Sequence, residues 1–202
     1  MLAPVSVRTV FDPADAGVNA YHLLTALVVP RPIAWVTSLS ADGVVNLAPH
    51  SFFTVASARP PIVQFTSVGH KDTLRNVTAT GEFVVNLATE ALTEQINASS
   101  APYPSEVGEA DVLGIATEPS ERVAAPRVAE SPASIECRLH STVPLGESTL
   151  VLGDVVAISV DRDVLDGDHP RFDLLRPMSR LGRDEWGLPP ATIRLTRPTR
   201  VD

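Results

Sequence analysis

The 202-residue sequence predicts a mainly β domain with a few helices, closed as a barrel or a sandwich. Three observations carry that expectation. Short runs of β-branched and aromatic residues recur between turn signals, helical periodicity is confined to two short stretches, and no alternation of strand and long helix marks a parallel sheet. With 44% apolar and 20% charged residues, the length suits a single domain spanning 1–202 with one real core.

Residues 33–40 are rich in strand formers, Asp42-Gly43 is a two-residue turn signal, and a return strand begins at 44–47. The chain runs on extended through 52–57, breaks at Arg59-Pro60-Pro61 and resumes as a strand over 62–67. A short polar helix is expected over 71–80 with Gly81 as its stop, then a strand over 83–87. Over 88–99, Ala88, Ala91, Leu92, Gln95 and Ile96 share one helical face, with Thr89 near the capping position. The prolines and acids of 101–133 read as a surface excursion wrapping the domain. Strands return over 134–143 and 149–160. From 170 onward, Pro170, Pro177, Pro189, Pro190 and Pro198 predict a tail that is irregular or at a sheet edge.

Several function classes are excluded. No apolar run approaches the roughly 18 residues of a membrane span. Residues 1–5 lack the basic start and apolar run of a signal peptide, so a cytoplasmic protein with no membrane partner is expected. A net charge of −8 repels phosphate backbones and argues against nucleic acid. That charge is uneven: residues 171–202 carry +3 and the rest −11, which is either a solvated arginine-rich end or a rim that attracts an anionic ligand. The single cysteine, Cys137, can form no intrachain disulfide or paired-thiolate zinc site, and the alternation of 135–139 makes it a small core residue. No Gly-x-Gly pair, Gly-Lys-Ser/Thr, Gly-x-Ser-x-Gly or His-Glu-x-x-His occurs, and the five histidines show no metal spacing. His50 and Ser51, adjacent on a strand, point to opposite faces and so do not read as a catalytic pair.

The informative stretch is Ser67-Val68-Gly69-His70-Lys71-Asp72-Thr73-Leu74-Arg75-Asn76, which runs from a strand end through a glycine turn into a helix start. Unpaired amides and the positive end of the dipole favour an anion there. Hydroxyls at Ser67 and Thr73 and the ammonium of Lys71 would complete a phosphate cradle; alternatively Asp72 caps the helix and Lys71 is simply solvated. Lys71 is the only lysine beside 15 arginines, as if a compact point charge were wanted at that one place.

Further blocks carry a resemblance. Residues 31–38 (Arg-Pro-Ile-Ala-Trp-Val-Thr-Ser) and 42–53 (Asp-Gly-Val-Val-Asn-Leu-Ala-Pro-His-Ser-Phe-Phe) resemble the flavin reductase-like family of FMN-binding split barrels. Pro60-Pro61-Ile62-Val63, 71–76, 81–86, 97–102, Ser131-Pro132 and Glu136-Cys137 follow in register, and 175–182 is similar to the closing segment of longer, flavoredoxin-like members. The resemblance covers about residues 20–187 and implies a six-stranded split β-barrel that dimerises with FMN at the subunit interface. Carried over residue by residue, it places the isoalloxazine ring along Ala48, Pro49, His50, Ser51 and Phe52, with Thr37 and Ser38 as second-line contacts. It places the phosphate near Ser67, Lys71, Asp72 and Thr73. Alternation leaves at least one of Phe52 and Phe53 as plain core.

The implied chemistry is hydride transfer from NAD(P)H to flavin N5, then electron delivery to an acceptor, a partner oxygenase or an electron-transfer protein. It needs no side-chain acid or base, and no catalytic residue is assigned. One departure favours an alternative. Shorter reductases carry Gly-Asp-His before their late strand, where this chain has Gly146-Glu147-Ser148. That suits a flavoredoxin-like electron-transfer protein not reduced by nicotinamide; a non-catalytic flavin or phosphorylated-ligand binder is the third reading.

Overall fold

The computed structural model describes residues 7–198; residues 1–5, read above for a leader, and Arg200 and Asp202 of the charged tail lie outside that range. Seven strands form one sheet: β1 (Ala34–Leu39), β2 (Val45–His50), β3 (Phe53–Ala58), β4 (Pro61–Val68), β5 (Glu82–Leu87), β6 (Ala133–Leu145) and β7 (Ser148–Val160). All neighbours are antiparallel, in the order β2-β1-β5-β6-β7-β4-β3. The helices are α1 (Ala20–Leu27), α2 (Asp72–Thr80), α3 (Thr93–Ala98), α4 (Glu109–Leu113) and α5 (Phe172–Leu175).

The count of seven corrects the expected six. The run through 44–57 is interrupted at Ser51-Phe52, where the chain leaves one edge of the sheet and begins the opposite edge. Laid flat, seven strands would be about 29 Å across, whereas three Cα steps from His50 to Phe53 reach only about 11 Å. The sheet therefore curls until its edges meet. Across this seam the His50 ring of β2 packs on the Phe65 ring of β4 with centroids 4.6 Å apart, while the bond from Thr66 N to Phe52 O at 2.9 Å extends the β3–β4 ladder. No strand ladder joins β2 to β3, so the barrel is split there.

Inside the curl, Ala34, Val36, Phe65, Phe83, Val85, Cys137 and Val151 pack together, and α2 closes the group with Leu74 and Val77. Phe65 meets Phe83 edge-on, with centroids 5.5 Å apart. Gly153 admits the Phe83 ring, since a Cβ there would lie 2.4 Å from Phe83 Cζ. Cys137 is core, as expected, and burial pushes its thiol pKa up to about 12, so it stays protonated and inert. The outer face of β1 is also covered: Trp35 packs with Leu47, Leu92, Ile96, Val128 and Met178.

Three local expectations change. The helix expected over 88–99 is a 3-10 turn at Glu90–Leu92 followed by α3, and the Thr89 side chain caps nothing. The segment 101–133 is more than a surface excursion: it carries α4 and buries Glu109, Ala110, Val123, Ala125 and Val128. The tail pairs Ser179–Arg180 with Arg31–Pro32 and Trp186–Gly187 in a small separate sheet. Helix α1 had no sequence signal of the kind used above, because Thr25 alone among its residues is buried.

Candidate functional site

Helix α2 spans the seam. It follows β4, yet packs on β1 and β2, where Asn76 Nδ2 donates to Ser38 Oγ at 3.4 Å. Gly69 takes φ 76°, which turns the chain sharply before the helix. Lys71 occupies the N-cap position in extended backbone and makes no side-chain cap. The first amides of α2 are thus left without an intrahelical or side-chain acceptor. They open on a cleft of about 330 Å³. One wall is Ala48, Pro49 and His50 of β2; the other is His70, Lys71, Asp72 and Thr73. The roof is 99–103, fixed where Trp35 Nε1 donates to Ser99 Oγ at 2.9 Å.

The floor is a chain of hydrogen bonds whose direction one acid sets. Glu109 is 6% exposed and accepts from Leu47 N and from Asn46 Nδ2, each at 2.8 Å. Both carboxylate oxygens accept, so Asn46 turns its NH₂ toward Glu109 and its Oδ1 away. Thr73 then donates to Asn46 Oδ1 at 2.8 Å, which uses its only proton. His50 Nε2 lies 3.2 Å from Thr73 Oγ1, and with that proton spent the Thr73 oxygen is left to accept from it. Burial raises the Glu109 pKa, opposed by the two bonds it accepts. Burial, with help from Lys71 and against a hydrogen bond to the Thr66 backbone, lowers that of His50 to about 4. The imidazole is neutral at pH 7, and both Thr73 Oγ1 and the Thr66 backbone call for its one proton.

That shift makes stability pH-dependent. Above about pH 6.5 His50 is neutral folded or unfolded; between 6.5 and 4 only the unfolded chain binds the proton. Stability is expected to fall by about 3 kcal/mol across that window. Urea midpoints at pH 7 and pH 4, compared between wild type and His50→Gln, isolate the contribution; equal drops in both would remove it.

A second cavity of about 160 Å³ adjoins the cleft at Pro49 and Ser100. It is lined further by Ser51, Asn97, Arg180 and Trp186. The Arg180 guanidinium lies 4.9 Å from the Trp186 ring centroid.

A family model for the flavin reductase like domain matches residues 26–175. The chain belongs to the flavin reductase-like family. Among solved structures, this flavin reductase-like chain is similar to nitrilotriacetate monooxygenase component B from Bacillus cereus. The TM-score is 0.90 and identity 30%, covering 94% of this chain and 100% of that one. It is also similar to the 2-nitrobenzoate 2-nitroreductase NbaA of Pseudomonas fluorescens, with TM-score 0.86 and 32% identity over 95% and 98% of the two chains. A flavin reductase structure with a split barrel domain from Shewanella frigidimarina shares the fold, with TM-score 0.82 and 22% identity over 88% and 91%. No helix among the described residues is long and apolar enough to cross a membrane.

Of the residues expected to hold a ligand in this flavin reductase-like domain, Ala48, Pro49, His50, Lys71, Asp72 and Thr73 line the one cleft. Ser51 lines the adjoining cavity. Phe52 lies beside Tyr21 and beneath Arg31, whereas Phe53 packs against the core. Ser67 is buried and spends its hydroxyl on Gly69 O. Ser38 backs Asn46 from behind. Thr37 faces away, donating to Pro126 O and accepting from Asn86 Nδ2, because successive strand residues alternate faces. Asp72 does not cap α2 but pairs with Arg75 at 2.7 Å. Asn46, Glu109 and the 99–103 roof were not assigned from the sequence.

Proposed function

We propose that the chain is an FMN-binding oxidoreductase that takes hydride from NAD(P)H and delivers electrons onward. The observation that carries this reading is the uncapped start of α2 with Lys71, set in the same cleft as the Ala48–His50 strand end. Bound there, FMN would supply the chemistry, accepting hydride at its N5 and releasing electrons to an acceptor.

The protein's part is to hold and orient. The Lys71 ammonium and the first amides of α2 suit a phosphate dianion. Thr73 would contribute its backbone N–H, since its hydroxyl proton is spent on Asn46. The β2 wall would lie along the ring system, with neutral His50 keeping a second positive charge out of the cleft. Hydride transfer itself needs no general acid or base, so His70, Asp72 and Tyr103, which also line the cleft, are given no catalytic role in this reading.

A homodimer belongs to the same reading, as does an onward partner, either an oxygenase or an electron-transfer protein. Edge strand β3 exposes Val55, and Val143, Leu145 and Ile158 on β6 and β7 are exposed as well. The flavoredoxin-like alternative rests on Ser148, which opens β7 opposite Val68, two residues from His70 of the cleft. That position lacks the imidazole of shorter reductases.

An absorption spectrum of the protein supplied with FMN, followed anaerobically on adding NADH and then NADPH, tests the proposal. Bound flavin that bleaches with either nicotinamide is expected. Bound flavin that neither bleaches would shift the reading to electron transfer from a protein donor, and no flavin binding would defeat both.

A further inference from the structure

The second cavity differs from the cleft in its charge. The cleft has two carboxylates, Asp72 and Glu109; the cavity has none, although the chain carries a net charge of −8. Beside it stand two arginines, and among the described residues neither has a carboxylate within ion-pair distance. Arg31 is 7% exposed, and its two terminal nitrogens are spent on the carbonyls of Thr25, Val28 and Leu181. Buried cations are normally paired with an anion. Arg180 uses two of its N–H groups on Arg183 O and Glu185 O, at 2.7 and 3.2 Å, and three of the guanidinium's five remain. Its stacking on Trp186, which packs against the core, fixes the plane in which they point.

The neutral groups agree. Ser51 Oγ lies 3.5 Å from Arg31 Nε and can only accept from it, so its own proton is left for the cavity. Asn97 adds an amide. Ile33, Pro49 and Trp186 supply flat apolar walls. At about 160 Å³ the space is below the roughly 300–1,000 Å³ of drug-sized sites. A dinucleotide does not fit it, whereas a single small ring does.

We propose that this cavity binds the carboxylate of a small aromatic acid, held by Arg180 and Ser51 with its ring between Pro49 and Trp186. Its use as the seat of a compound that meets the flavin rests on the reading of the cleft given above; its preference for an anion does not. The arginine-rich tail is on this view a specificity element, with Arg180 as the residue that selects charge.

Benzoate and its neutral isostere benzamide, titrated calorimetrically into the full chain with and without FMN, test the assignment. Benzoate is expected to bind saturably and benzamide about tenfold more weakly. Arg180→Gln should weaken benzoate about tenfold and leave FMN affinity unchanged, while Lys71→Ala should leave benzoate unchanged. Equal binding of the two probes, no saturable benzoate binding, or a loss with Lys71→Ala instead of Arg180→Gln would overturn it. If Arg180→Gln fails to fold, Ser51→Ala takes its place, titrated with benzoate in the absence of FMN because Ser51 is also expected beside the flavin ring, with a severalfold loss expected and no loss overturning the proposal. FMN failing to bind while benzoate binds would defeat the flavin reading alone.

Discussion

Lys71→Ala is expected to weaken FMN by about 10- to 100-fold and to leave riboflavin almost unaffected. The two ligands share the ring system and differ in the phosphate, so the ratio of their losses reports where the phosphate sits. Lys71 stands at the N-cap of α2 with no side-chain cap and no ion-pair partner among the described residues. Removing it takes away the ammonium while leaving the helix amides and their dipole in place. Some phosphate affinity should therefore survive, and it should fade with added salt. Fluorescence titration of both flavins measures the pair of constants. Equal losses for FMN and riboflavin would place the phosphate elsewhere.

Glu109→Ala should cost about 3 kcal/mol of stability, because Leu47 N–H and the Asn46 amide lose their acceptor inside the protein. Glu109→Gln makes a sharper experiment. Its amide oxygen can still serve Leu47, but its NH₂ then faces Asn46, which must flip to present Oδ1. Thr73 next receives a hydrogen bond from Asn46, and its own proton turns to His50 Nε2. The imidazole proton is displaced to Nδ1. Nitrogen NMR of histidine-labelled protein reads the two ring nitrogens directly: Nε2–H is expected in wild type and Nδ1–H in the glutamine variant. The same tautomer in both would break the link between Glu109 and the cleft, whatever the stability change.

These two residues mark what the sequence could disclose. Lys71 lies in a continuous stretch that ends a strand, turns on Gly69 and starts a helix, and each of those signals is local. His50 likewise sits on a strand whose register follows from the Asp42-Gly43 turn. Glu109 stands 63 residues from Asn46 in a segment rich in acids, and only the packing of α4 on β2 distinguishes it from its solvated neighbours. Thr37 was misplaced for a related reason. Its strand is buried on both faces, so burial alone does not tell which side a hydroxyl serves. Trp186 and Arg180 belong to a tail whose prolines argue against regular structure, and their order comes from the pairing of two residues with Arg31–Pro32.

The crossing at Ser51-Phe52 gives the cleft a place in the order of folding. One wall is edge strand β2 and the other is the turn and helix start that follow β4, beside the opposite edge, so the cleft exists only once the curl is complete, after every ladder between those edges has formed. A ligand gripping both walls acts as a clasp on a ring, and its binding energy opposes reopening. Amides of β2 and of the start of α2 would then exchange hydrogen more slowly with ligand present, while those in the middle of β6 and β7, already enclosed by neighbours on both sides, would keep their rates.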